Sequence, residues 1–194
     1  MAHDTKAALT GEKTLLGRVL DISGVHVEDC YQCGKCTAGC PVAFEMGIPP
    51  QQMMRMVQLN LKDRALNANT VWVCASCETC SARCPMEVKV ADVMDALRRI
   101  AIEEGVPAPA EARTMSVFHR EFLAGVKRWG RLNEHELIGM YKLYTGKFLD
   151  DVGLGIRLFG KQKIRPWHFA KVRRTEDMAK LFEAALSGEK DEGH

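Results

Sequence analysis

Eight cysteines occur in this 194-residue chain, all of them between Cys30 and Cys84. Their spacing repeats. Cys30, Cys33, Cys36 and Cys40 are followed by Pro41, and Cys74, Cys77, Cys80 and Cys84 by Pro85, so the pattern C-x2-C-x2-C-x3-C-P is written twice. Thiolates two residues apart can turn inward on one loop and hold a single metal centre, with a fourth ligand arriving from elsewhere. Other cysteine chemistries fit less well. Disulfide frameworks belong to small secreted chains of higher cysteine density. A redox C-x-x-C site needs one pair and not two quartets. A zinc ribbon separates two C-x2-C pairs by a longer spacer, whereas four closely spaced cysteines in one run overcrowd a single tetrahedral ion.

The doubled run has the spacing of two-cluster iron-sulfur carriers, in which the fourth cysteine of each run ligates the other cluster. On that pattern Cys30, Cys33, Cys36 and Cys84 hold one [4Fe-4S] cluster, and Cys74, Cys77, Cys80 and Cys40 hold the second. Each proline redirects the chain after the crossing cysteine. Every thiol is then a ligand, neither cluster keeps an open position for substrate, and no residue is assigned a catalytic role. The small residues Gly34, Ala38, Gly39, Ala75 and Ser76 let backbone N–H groups approach sulfur, which tunes potential, though tight loops need small residues anyway. Lys35 and Arg83 are charges that would favour the reduced cluster, or are simply solvated. Trp72, two residues before Cys74, reads as core before it reads as a cluster shield, and Met53, Met54 and Met56 read as packing before ligands.

The elements that must position these cysteines are helical. Composition is that of an ordinary globular chain, 46% hydrophobic and 27% charged with a net charge of +2, which disfavours disorder and a globally basic nucleic-acid binder. Leu15, Leu16, Val19 and Leu20 recur at helical spacing after Thr14 and stop at Ser23-Gly24. Between the two runs, Pro49 and Pro50 suit a helix start, and Met53, Met54, Val57, Leu61 and Ala65 share a face, so the linker is expected to be helical. Val90, Val93, Met94, Leu97 and Ala101 mark a further helix ending at Gly105. Beyond the Pro-Ala stretch at 107–110, Phe118, Phe122 and Val126 share a face, and Asn133 with Glu136 forms a capping-box pattern before Leu137, Ile138, Tyr141 and Tyr144. Residues 146–166 read as irregular, and a last helix runs from Thr175, with Glu176 and Asp177 in its first turn, through Met178, Leu181, Phe182 and Ala185 to Gly188. No strand pattern is present, so the fold class is all-α. The expected division is a frayed N-terminus over 1–13, a cluster domain over 14–106, a helical C-terminal extension over 107–188 and a charged tail over 189–194.

The runs Cys30-Tyr-Gln-Cys-Gly-Lys-Cys-Thr-Ala-Gly-Cys-Pro-Val-Ala43 and Trp72-Val-Cys-Ala-Ser-Cys-Glu-Thr-Cys-Ser-Ala-Arg-Cys-Pro85, with the helical linker between them, resemble the iron-sulfur component C of heterodisulfide reductase. The resemblance is strong over about residues 14–104. It implies an α-helical ferredoxin fold with two [4Fe-4S] clusters and membership of a complex. There, component A is a flavoprotein, component B carries the CCG motifs that build the disulfide-reducing clusters, and component C relays electrons between them. This chain has no Cys-Cys pair, so disulfide chemistry would belong to a partner. A free-standing ferredoxin-like carrier is the alternative, which the long extension argues against.

Weaker signals complete the sequence. Residues 157–174 hold Arg157, Lys161, Lys163, Arg165, Lys171, Arg173 and Arg174 with Phe159, Trp167, His168 and Phe169 and no acidic residue. Docking of an acidic partner is the leading reading, a solvated or internally packed face the next, and nucleic acid the least favoured. Gly153, Gly155, Gly160 and Lys161 do not make a phosphate loop, because Gln162 stands where Ser or Thr belongs and no strand precedes it. The stretch with His3, Asp4, Lys6, Glu12 and Lys13 lacks the apolar core of a secretory signal, and the longest apolar run is broken by Asp92, Asp95, Arg98 and Arg99. The expected location is cytoplasmic, with no transmembrane segment.

Overall fold

A computed structural model describes residues 14–146, 152–161 and 175–187. All regular elements among these residues are helices or short helical turns, as the all-α reading expects. Two compact units divide the chain, Met1–Arg113 and Thr114–His194.

The first unit is built on three longer helices. Leu15–Ser23 opens where the Thr14 side chain accepts a hydrogen bond from the Gly17 N–H, and it closes on Gly24 at φ 67°, a left-handed turn that glycine takes without steric cost. Pro50–Gln58 begins with proline at its first position, where the missing N–H is no loss. Val90–Glu103 ends on Gly105 at φ 67°, with the Val106 N–H returning to the Ala101 carbonyl at 2.9 Å in a Schellman closure. Their apolar faces meet in one core in which Leu15, Val19, Met53, Met54, Val57, Leu97 and Ile100 are almost wholly buried. Val106, Ala108 and Ala112 also pack on this core, which carries the first unit past the proline-rich stretch to Arg113.

The linker between the cysteine runs departs from the continuous helix that its periodicity predicts. It breaks into Pro50–Gln58 and Lys62–Leu66. At the break Asn60 is left-handed at φ 53°, and its Oδ1 accepts a hydrogen bond from the Leu15 N–H at 2.6 Å. A first-turn N–H of the Leu15–Ser23 helix is thereby satisfied by a residue 45 positions away. The break also exposes Leu61, which helical spacing placed with the core. Arg18 pairs with Glu103 at 3.0 Å and with Glu104, which also meets Lys62 Nζ at 2.6 Å, so three helices are tied by charge at one corner.

Helix Arg113–Trp129 starts at the boundary and runs into the second unit, which also carries Glu134–Thr145, Val152–Gly160 and Thr175–Ser187. Phe118 meets Tyr141 edge-on at 6.3 Å and Phe122 at 6.2 Å, which joins the first two of these helices. Asn133 caps the second by accepting from the Glu136 N–H at 3.3 Å. The Glu136 carboxylate does not complete a capping box, because it instead receives Arg128 and the Trp129 indole N–H. Val152–Gly160 is helical although its glycines read as irregular. Leu154 and Leu158, one turn apart, line an open groove with Phe118, Leu137, Ile138 and Tyr141. The expected N-terminal fraying over 1–13, the tail over 189–194, the Gly188 stop and residues 162–174 of the basic stretch lie outside the described residues.

Candidate metal centre

Each cysteine run is a tight loop followed by a single helical turn, Lys35–Ala38 in the first and Thr79–Ala82 in the second. The backbone repeats as the sequence does. Gln32 (φ 66°) and Gly34 (φ 81°) are left-handed in the first run, and Ser76 (φ 47°) and Glu78 (φ 59°) occupy the matching places in the second. Within these turns the Lys35 N–H donates to the Cys33 thiol and the Ser76 N–H to the Cys74 thiol, donors of the kind an anionic iron-sulfur core requires. Only one of the four is glycine, so residue type gave no signal of the other three.

All eight thiols are free. Cys40 lines one cavity with Cys74, Cys77 and Cys80, among Pro41, Met46, Val90 and Met94. The fourth cysteine of the first run thus stands with the first three of the second. At the other end Tyr31 reports the complementary grouping. Its phenol is raised above the usual value by a hydrogen bond to the Cys33 thiol, with further effects of Cys33, Cys84 and Cys30 as charges. Cys84 is thus within electrostatic reach of Tyr31, as Cys30 and Cys33 are. The thiols border a space and do not crowd to a point; among the described residues no three Cys, His, Asp or Glu side chains are grouped as one ion would need. Eight soft thiolate donors in two sets of four fit two [4Fe-4S] clusters.

The second cysteine of each run, Cys33 and Cys77, is exposed. Both thiols are lowered below the usual value, Cys33 chiefly by the backbone N–H of Lys35 and Cys77 chiefly by the Thr79 hydroxyl. Inner thiols go the other way. Burial raises Cys36 and Cys74, and pushes Cys80 up to about 11. Gln32 Nε2 adds a donor to Cys30 Sγ at 3.5 Å.

Several supporting side chains carry no sequence signature. Gln51 braces the first run through its N–H to Thr37 Oγ1 at 3.0 Å and its Nε2 to the Gln32 carbonyl at 2.9 Å. Asn69 receives the Gly47 N–H at 2.8 Å and donates to the Glu45 carbonyl at 3.0 Å, while Thr70 Oγ1 donates to the Ile48 carbonyl at 2.5 Å. Together these two hold the segment after Cys40 against the turn before Cys74. Arg83 lies over Gly39, where a Cβ would come within 2.7 Å of Nη1, so a larger residue there would make the Arg83 side chain shift. Trp72 is core, 5% exposed, as are Met53, Met54 and Met56.

Helical loops that carry eight thiols in two repeated runs define a dicluster iron-sulfur domain of ferredoxin type, and residues 26–88 match the 4Fe-4S dicluster domain family. The chain carries two [4Fe-4S] clusters in this domain. Its relatives are more particular. It is 38% identical over 94 residues to the iron-sulfur component C of the CoB–CoM heterodisulfide reductase of Methanopyrus kandleri, covering 48% of each chain. It is 34% identical over 99 residues to component C of the H2:CoB–CoM heterodisulfide, ferredoxin reductase of Methanothermobacter marburgensis, covering 51% of this chain and 54% of that one. A third, component C of the ferredoxin:CoB–CoM heterodisulfide reductase of Methanosarcina mazei, is 32% identical over 96 residues, 50% of this chain and 59% of the relative. The chain spans about half the length of these curated relatives. No helix among the described residues is long and apolar enough to cross a membrane.

Proposed function

We propose that this chain is the electron relay of a heterodisulfide-reductase-like complex, working between a flavoprotein component A and a CCG-motif component B. The complex is supported by the likeness to component C of CoB–CoM heterodisulfide reductases, and the cluster arrangement by one observation: Cys40 borders the same cavity as Cys74, Cys77 and Cys80. It supports one cluster on Cys74, Cys77, Cys80 and Cys40 and the other on Cys30, Cys33, Cys36 and Cys84. When bound, such clusters each take up and give back one electron. The chain's own residues aim N–H and hydroxyl donors at the sulfurs and keep the inner thiols dry, and all eight cysteines are used as ligands. Disulfide chemistry therefore falls to the CCG-motif partner.

The segment over 107–188 is read as docking surface. Support comes from Leu123, Ile138, Leu143, Leu154 and Ile156, all large, apolar and exposed in the second unit. Eight cysteines committed to clusters and none to a disulfide support a reducing, cytoplasmic setting. Affinity purification from the native host tests the assignment. A flavoprotein and a CCG-motif protein should co-purify in fixed ratio; recovery as a lone monomer would instead favour a free-standing carrier.

A further inference from the structure

Two side chains remote in sequence from the cysteines act in the same way on the two runs. Gln58, at the end of Pro50–Gln58, donates through Nε2 to the carbonyls of Val27 at 3.0 Å and Cys30 at 2.8 Å. Arg98, within Val90–Glu103, donates through Nε to the Val71 carbonyl and through Nη2 to the Cys74 carbonyl, both at 2.8 Å. Cys30 and Cys74 are the first ligands of their repeats, and Val27 and Val71 each stand three residues earlier. Each clamp therefore closes the last turn before its loop and fixes where the first thiol enters.

The two clamps share geometry and differ in charge. Gln58 is a neutral amide. Arg98 is a guanidinium that stays protonated at any working pH, and its side chain is only 16% exposed, so solvent screens it little. Its counter-charge is Asp95, whose Oδ1 receives Arg98 Nη1 at 2.8 Å and Ser76 Oγ at 2.8 Å. Asp95 is half-exposed and hence the better screened of the pair.

We propose that Arg98 is a positioning residue that also sets the reduction potential of the cluster held by Cys74, Cys77, Cys80 and Cys40, at a place where its counterpart Gln58 supplies position alone. This rests on the ligand assignment proposed above. A cation beside the centre favours the form that carries the extra electron and raises its potential, and Asp95 opposes this with a weaker, more solvated charge. Reduction takes one electron from the other cluster or from a partner, which is oxidised by the same amount. No bond is made or broken.

The test uses the full-length, cluster-loaded chain, with iron content measured first and each cluster then titrated by electron paramagnetic resonance. The signal altered in Cys40→Ser marks the cluster in question. In Arg98→Gln, that cluster should shift its reduced-to-oxidised ratio at fixed potential by about tenfold toward oxidised, equivalent to ~59 mV for one electron, while the other stays put. Asp95→Asn should move the same cluster in the opposite direction by less. Arg98→Lys should hold the potential within about threefold of wild type on that ratio while releasing iron faster, because it keeps the charge and loses the fork. A purely structural Arg98 would lower iron content and leave the Asp95→Asn potential at the wild-type value, which overturns the proposal. If Arg98→Gln does not load, Asp95→Asn decides alone, an upward shift upholding the idea and no shift ending it. A wild-type chain without about eight irons would instead overturn the two-cluster assignment itself.

Discussion

Crossed ligation needs the segment after Cys40 to be held beside the second run, and Asn69 and Thr70 hold it. Asn69→Ala removes two hydrogen bonds, to the Gly47 N–H at 2.8 Å and the Glu45 carbonyl at 3.0 Å, both in solvent-exposed surroundings. Water can replace those partners, so the cost is about 1 kcal/mol. Thr70 is fully buried, and Thr70→Val strands the Ile48 carbonyl that its hydroxyl serves. An unpaired buried acceptor costs roughly 1–3 kcal/mol, and the near-equal volume of valine keeps packing out of the comparison. Each 1.4 kcal/mol is about a tenfold change in the open population. Where opening is fast relative to iron capture, the loss rate follows that population. Iron release to a chelator should thus quicken about fivefold in Asn69→Ala and about tenfold or more in Thr70→Val, and the cluster of Cys74, Cys77, Cys80 and Cys40 should go first. Equal loss of both clusters, or earlier loss of the one on Cys30, Cys33 and Cys36, would refute the argument.

Cys40→Ser should disturb the cluster on Cys74, Cys77 and Cys80 and spare the other; resonance spectra that lose the cluster nearest in sequence would contradict the crossing. The Glu104 carboxyl is held below its usual value by Lys62 first and Arg18 next, so its contribution is present above about pH 4.3 and is lost as pH falls through the lowered folded value. Glu104→Gln should flatten the acid limb of a stability-against-pH curve by about 0.5–1 kcal/mol, an effect that high salt should shrink. Asn60→Gly should cost about 1 kcal/mol in urea unfolding for the lost bond to Leu15, and Asn60→Ala about 1 kcal/mol more, because alanine must also bear φ 53°. Equal losses would mean that the left-handed turn is not limiting. In the cluster-free chain, limited proteolysis should cut within 31–39 and 75–83 before it cuts the longer helices; first cuts within Leu15–Ser23 or Val90–Glu103 would show that the loops stand without metal.

What was readable in the sequence was local. Thr14 and Gly24, Gly105, and Asn133 with Glu136 mark helix ends because capping acts over three or four residues, and the doubled cysteine spacing announces its chemistry in the same short range. What escaped depends on long-range pairing. The linker periodicity is sound on either side of Asn60, but the break answers to Leu15, which no local pattern reveals. Val152–Gly160 is helical against the sense of its glycines, and no local pattern announces it. Arg98 offered one clue: it lies one turn beyond Met94 and two beyond Ala91, at the margin of an otherwise buried stripe, where a cation needs a reason. Gln58, Asn69 and Thr70 offered none, since amides and hydroxyls are common in any helix end or turn.

The left-handed places in the cysteine loops carry a cost that glycine would largely avoid, yet three of the four are Gln32, Ser76 and Glu78. Such backbone costs on the order of 1–2 kcal/mol per non-glycine residue, and metal binding is what repays it. The loops thus rest on metal bonds as well as on the clamps from Gln51, Gln58 and Arg98, whereas the helical frame rests on Leu15, Met53, Leu97 and their neighbours. Loss of iron is therefore expected to loosen the loops before the frame. On that expectation iron supply bears both on electron carriage and on how well each copy resists proteolysis.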